Sequence, residues 1–204
     1  MGNILQRDGL TIEVLRSLSY KSELGISLKK NLHYFEKEKL LEELIKVNKW
    51  YDEFEGLHEL ALDYRIKSIQ SAMLKYERYY PDHQARKVFD DLLGFRSLFD
   101  NYEGVLELKK FSELRVADMS KSKANDDGYR GIHVYFQLNG NHYPIEIQYN
   151  TYYDRQFNNC LHKYVHKKKY DNFIRCHLRE IYENAKILSD FLFGIVLLIK
   201  SVYN

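Results

Sequence analysis

Between residues 127 and 151 the chain reads DGYRGIHVYFQLNGNHYPIEIQYNT, and apolar and polar positions alternate through two successive runs. Ile132, Val134 and Phe136 interleave with His133, Tyr135 and Gln137. Past Asn139-Gly140-Asn141, Tyr143, Ile145, Ile147 and Tyr149 interleave with Pro144, Glu146 and Gln148. A period of two on either side of a Gly-containing joint predicts a β-hairpin with one apolar and one polar face. His133, Glu146 and Gln148 project from the polar face, Glu146 and Gln148 as neighbours because strand positions two apart share a side. A plain solvated face has the same pattern, so the rest of the chain must decide what these groups do.

Elsewhere the apolar spacing is mostly helical. Residues 10–24 carry it until Gly25 breaks it, and Ser27 is placed to cap the next segment. Residues 32–54 set Phe35, Leu40, Leu41, Leu44, Ile45, Val47 and Trp50 as one stripe among Glu and Lys, a long amphipathic helix. Residues 57–66 read as a strand, 68–79 as a helix stopped by Pro81, 92–99 as a strand, 102–111 as a helix and 114–119 as a strand. The polar stretch 120–127 reads as a loop. Helices are expected over 152–167 and 171–202, the second polar to Asp190 and nearly all apolar from 191 to 199. That apolar end fits core packing or a partner surface. Strands interleaved with helices and closed by an antiparallel hairpin predict an α/β (α+β) fold, a mixed β-sheet flanked by helices in a single domain. The expected organisation is a helical region over 1–56, a core over 57–170 and a C-terminal helix over 171–204.

Size and composition narrow the picture further. A chain of 204 residues buries a sizeable core without staples. Cys160 and Cys176 lack partners at zinc spacing and read as reduced thiols of a cytoplasmic protein. No export pattern opens the chain, and its longest apolar run, 191–199, is too short to cross a membrane. A net charge of +2 does not announce a nucleic-acid binder, but KYVHKKK at 163–169 and Lys29-Lys30, ahead of Tyr34 and Phe35, concentrate cations. Two prolines in all, and no repeat, leave no interdomain linker.

Two further segments carry chemistry beside the hairpin. Arg65 and Lys67 alternate at a strand end, followed by a helix with Ser71 and Lys75 one turn apart. Cations beside a helix N-terminus suit polyphosphate, since exposed amides add to the side-chain charge. In the segment DDLLGFR, Asp91 is expected to open a strand and Arg96 to leave it, with Gly94 allowing a backbone or ligand to approach. Asp91 and Glu146 are the natural pair for magnesium, which takes a few carboxylate oxygens plus substrate phosphates and water. Two ordinary surface acids are the alternative.

Taken in order, R-x-K-x-x-x-S-x-x-x-K, D-L-x-G-x-R, G-Y-R-G-x-H and E-I-Q resemble the RelA/SpoT-type synthetase domain, specifically a small alarmone synthetase, over about residues 57–169. The resemblance implies a nucleotidyltransferase-like fold and transfer of the β,γ-pyrophosphate of ATP to a ribose 3′ oxygen, with AMP released. It implies that Arg65, Lys67 and Lys75 hold the ATP phosphates with support from Ser71, that Asp91 binds Mg2+ and that Arg96 contacts ATP. It further implies that Tyr129 would stack on the acceptor base, that His133 and Gln148 would order the phosphate side, and that Glu146 would complete the metal site and accept the 3′-hydroxyl proton. The chain shows neither the hydrolase region nor the regulatory region of the long family members, so synthesis without hydrolysis is expected.

Departures from the family pattern bear on the acceptor. Asn150 stands where many members have arginine after E-I-Q, and Asp126-Asp127 precede Gly128, an acidic approach that disfavours the 5′ phosphates of a free nucleotide. These features resemble the toxic small alarmone synthetases, which pyrophosphorylate the 3′-hydroxyl of the tRNA CCA end and are restrained by a protein antitoxin. Lys29, Lys30 and Arg115, with Lys167, Lys168 and Lys169, are then the residues expected to meet tRNA phosphates from outside the catalytic centre. Synthesis of (p)ppGpp from GDP or GTP, or of (p)ppApp, shares the same donor site; a non-catalytic RNA-binding module is the remaining class. The oligomeric state is open.

Overall fold

A computed structural model of the chain describes residues 4–122, 126–165 and 171–184. Its helices are α1 (Ile4–Arg7), α2 (Ile12–Ser17), α3 (Lys37–Glu53), α4 (Glu55–His58), α5 (Ile69–Tyr79), α6 (Ala85–Val88), α7 (Glu103–Leu106), α8 (Tyr152–Cys160) and α9 (Asn172–Asn184). The strands β1 (Asp63–Ile66), β2 (Leu93–Phe99), β3 (Leu114–Met119), β4 (Gly131–Phe136) and β5 (Ile145–Thr151) form one five-stranded mixed sheet in the order β1-β2-β5-β4-β3, flanked by helices. The fold class expected from the sequence is therefore present. No described helix is long and apolar enough to cross a membrane.

The described residues divide into two compact units: 4–97, 103–117 and 133–149 make one, and 98–102, 118–122, 126–132, 150–165 and 171–184 the other. In the first, the alternation of the hairpin does what its pattern predicts. Val134, Phe136, Ile145, Ile147 and Tyr149 are buried, and so are Leu40, Leu44, Val47 and Tyr51 of α3, which packs on α5 and β1. In the second, Phe157, Leu161, Val165 and Tyr182 join α8, the π-helical turn Leu161–Val165 and α9 into a smaller core.

Several expected boundaries move. The segment 57–66 is not one strand: α4 ends at His58, whose Nδ1 meets the Tyr64 hydroxyl at 2.8 Å and closes the turn into β1. Helix α2, capped by Thr11, stops at Ser17, because residues 20–22 leave it to pair with the hairpin loop; Tyr143 N donates to Tyr20 O and Ser22 N to Asn141 O. The same pairing widens the hairpin joint to residues 137–144. The helix expected over 102–111 splits into α7, which buries Val105, and a 3₁₀ turn Glu107–Lys110, which buries Leu108. The expected end of the last helix and the apolar run 191–199 lie outside the described residues.

Candidate active site

Strand β1 pairs antiparallel with β2 so that Arg65 stands opposite Gly94, and Lys67 N extends the ladder by donating to Leu92 O. This register aims the strand end at the turn before β2, where Asp90 and Asp91 sit. Lys67 Nζ lies 2.6 Å from Asp91 Oδ2, and Arg65 Nη2 lies 3.8 Å from the same oxygen. Helix α5 supplies Lys75, whose Nζ lies 3.2 Å from Asp91 Oδ1 and 2.9 Å from Asp90 Oδ1. Ser68 caps α5 by accepting Ser71 N, which starts the helix where Lys75 falls one turn later on the inner face. Burial opposes the Asp91 charge, but Lys75 and Lys67 outweigh it and hold that carboxyl below the usual range. Asp90 goes the other way: burial dominates over Lys75 and its carboxyl is pushed up.

Glu146 approaches from β5, which neighbours β2. Its Oε1 lies 2.9 Å from His133 Nδ1 and accepts the Tyr135 hydroxyl at 3.2 Å, while its Oε2 accepts Gln148 Nε2 at 2.7 Å. Gly94 leaves room for it, since a Cβ there would stand 3.5 Å from Glu146 Oε2. Burial resists its ionisation and the Asp91 charge opposes it too, yet the His133 contact and the Gln148 amide prevail and lower its carboxyl. Asp91 and Glu146 thus lie within electrostatic reach, one inside a cationic cradle and the other held by neutral and imidazole donors. Among the described residues no group of three or more His, Cys, Asp or Glu is arranged to hold a metal. Asp91 and Glu146 are the two carboxylates that would hold a hard divalent ion, with phosphate and water as its remaining ligands.

Tyr129 belongs to the second unit, in a turn with its own framework. Gly128 has φ +76°, a left-handed conformation that suits glycine. Gly128 N donates to Asp126 Oδ1 and Tyr129 N to Asp127 Oδ1. Arg130 grips Asp126 with two nitrogens, at 2.8 and 3.0 Å, and that hydrogen bonding lowers the Asp126 carboxyl. Asn150 is buried, its Nδ2 donating to Arg130 O at 2.9 Å.

No family model and no curated protein matches the chain. Among solved structures it is similar to small alarmone synthetase 1 of Bacillus subtilis bound to its product pppGpp, at 19% identity, covering 82% of this chain and 92% of that one, with a TM-score of 0.44. It is also similar to small alarmone synthetase 2 of Bacillus subtilis, at 21% identity, 78% and 90% coverage and a TM-score of 0.44. A GTP pyrophosphokinase family protein of Streptococcus pneumoniae matches at 21% identity, 78% and 93% coverage and a TM-score of 0.42.

Arg65, Lys67, Lys75 and Asp91 are brought together, and His133, Gln148 and Glu146 likewise. Three sequence expectations need correction. Asp91 lies in the turn ahead of β2 rather than opening it, and Arg96 sits within β2, opposite Asp63 with Nη1 4.0 Å from its Oδ2. Ser71 is exposed, and its hydroxyl is taken up by Ser68 at 2.9 Å. Arg115, expected outside the catalytic centre, borders it: its guanidinium stacks 3.9 Å over the Tyr135 ring and reaches within 3.7 Å of Asp90. It lines a cleft of about 460 Å³ with Arg86, Lys87, Tyr135 and Gln137. Lys29 and Lys30 are exposed, Lys30 over the Tyr34 ring at 5.4 Å, and their backbone segment bonds to Ala85 and Arg86. Lys167, Lys168 and Lys169 lie outside the described residues. Tyr135 and Asp90 were missed. Tyr135 was legible as the residue two beyond His133 on the polar face, whereas Asp90 had no signal beyond adjacency to Asp91.

Proposed function

We propose that the chain is an ATP pyrophosphokinase that transfers the β,γ-pyrophosphate of ATP to the 3′-hydroxyl of the terminal adenosine of tRNA, blocking aminoacylation and translation. The observation that carries the transfer is the shared hold of Lys67, Lys75 and Arg65 on Asp91, with ionised Glu146 in electrostatic reach. Donor phosphates take these cations over from the carboxylates, and Arg96 supports the nucleotide from β2. Magnesium held by Asp91 and Glu146 neutralises phosphate charge when bound. Glu146, ionised at neutral pH, takes the 3′-hydroxyl proton. The acceptor oxygen bonds the β-phosphorus as the bond from that phosphorus to the α–β bridging oxygen breaks, and AMP leaves with that oxygen. Tyr129 is the platform for the acceptor base, while His133, Tyr135 and Gln148 fix the Glu146 carboxylate. Positioning and charge neutralisation are what such a transfer needs.

Exposed Lys29 and Lys30 and the Arg86, Lys87 and Arg115 side of the cleft support a polyanionic acceptor. Restraint by a protein antitoxin and a cytoplasmic location belong to the same reading. A second reading, synthesis of (p)ppGpp from GDP or GTP, is favoured by one observation: Arg130 neutralises Asp126, so the acidic approach to Tyr129 repels a nucleotide less than its sequence implies. Label from β,γ-labelled ATP, offered tRNA, GDP and ADP in parallel, decides between them. Label in tRNA is expected, and Glu146→Gln abolishes it; label confined to guanine nucleotide replaces the first reading with the second. A Glu146→Gln protein that still inhibits growth would point to a non-catalytic RNA-binding role.

A further inference from the structure

Helix α9, outside every motif of the sequence, buries an arginine. Arg179 is 1% exposed, and a guanidinium in that position is costly unless its donors are met. They are met in a specific way. Nη1 donates to Asp154 Oδ1 at 2.7 Å and Nη2 to Asn158 Oδ1 at 3.1 Å, both on α8, while the guanidinium lies 4.2 Å over the Phe157 ring. Nε donates to the main-chain oxygen of Gly128 at 2.7 Å. Asp154 is fixed in turn by the Tyr102 hydroxyl at 2.6 Å and Thr151 Oγ1 at 2.8 Å.

Apolar side chains in place of both members of such a buried pair are often neutral for stability, so stability alone does not account for the arginine. What arginine adds is a third donor that reaches a loop carbonyl, and that carbonyl belongs to the residue before Tyr129. Other contacts fix the same turn from the same helices. Cys176 Sγ meets Asp126 O at 3.1 Å, and Gly128 packs so closely on α9 that a Cβ would come 2.7 Å from Arg175 O. Asn158 holds both ends of the Arg130 backbone, accepting from its N at 3.3 Å and donating to its O at 2.7 Å.

We propose that Arg179 is a positioning residue for the acceptor: through Gly128 O it sets the turn that presents Tyr129, which rests on the reading of Tyr129 as the acceptor platform. Helices α8 and α9 then govern acceptor binding, while the donor cradle is independent of them.

The test compares wild type with Arg179→Lys, which keeps the charge but not the three-way reach, and Arg179→Met, which fills the space without a donor. Arg179→Met is expected to lower the melting temperature, since Asp154 loses its cation, and Arg179→Lys to lower it less. In both, KM for the acceptor rises by about tenfold or more while KM for ATP changes by less than about twofold. Amide exchange over residues 126–131 accelerates in both, a readout that needs no acceptor. Asp154→Asn, which frees the arginine from its ionic anchor, shows the same split at about threefold and serves if the Arg179 variants do not fold. Wild-type exchange over 126–131 in the folded variants, or equal rises in both KM values, overturns the proposal. If wild type transfers pyrophosphate to no acceptor, the function proposed above fails, and the exchange measurement still decides whether Arg179 holds the turn.

Discussion

Asp90 and Asp91 are adjacent, share Lys75 and yet respond to the fold in opposite directions. Asp91 has its carboxyl lowered, so its ionised form stabilises the fold above the ordinary carboxylate range and that contribution is lost as pH falls through its folded value. Asp90 has its carboxyl raised, so its ionisation costs stability at neutral pH and protonation relieves the cost. Asp91→Asn should therefore lower stability at pH 7 by about 2 kcal/mol and abolish transfer, since Lys67 loses its partner. Asp90→Asn should hold or raise the melting temperature, and thermal melts of the two variants side by side check the contrast. Tyr135→Phe removes the hydroxyl that donates to Glu146 Oε1 while keeping the ring under Arg115. Its kcat is expected to fall roughly tenfold, about 1.4 kcal/mol, with folding little changed, as single-turnover rates and denaturant titration would show. Equal activity of Tyr135→Phe and wild type would remove the phenol from the site.

At the scale of elements, the site depends on where α5 begins. Ser68→Ala removes the side-chain acceptor for Ser71 N and should cost about 1 kcal/mol in urea unfolding, an unchanged midpoint arguing that the cap is idle. The hairpin and α3 were legible because period two and period 3.6 run long enough there to override local ambiguity. Residues 57–66 and 10–24 were not, because their boundaries are set by contacts that apolar spacing does not encode, Tyr64 against His58 six residues earlier and Tyr20 against the distant 137–144 joint. The motifs revealed which ionisable groups meet, since each lies at or beside a strand end, on one strand face or, for Lys75, in the second turn of α5. They gave no hint of Arg179, whose role exists only through the carbonyl of a residue 51 positions earlier.

For the whole molecule, acid is the revealing variable. Asp91 and Glu146 have lowered carboxyls in spite of burial, and Asp126 is lowered chiefly by its hydrogen bonds to Arg130. All three stabilise the fold above their unfolded values and lose that contribution as pH falls below about 4, with Asp90 alone compensating in part. Urea midpoints should change little from these groups between about pH 7 and 5 and then drop steeply, and a steady decline across the whole range would contradict the assignment. Two half-buried thiols add a quieter expectation: burial raises Cys160 and Cys176, so alkylation at neutral pH should be slow. On the proposed reading, the ammonium groups that would take a triphosphate are engaged with aspartates, so loading the donor would be an exchange of anions rather than the filling of an empty positive hole. Inorganic phosphate or sulfate, carrying no more charge than the two carboxylates it must displace, should compete poorly against the more highly charged triphosphate of a nucleotide.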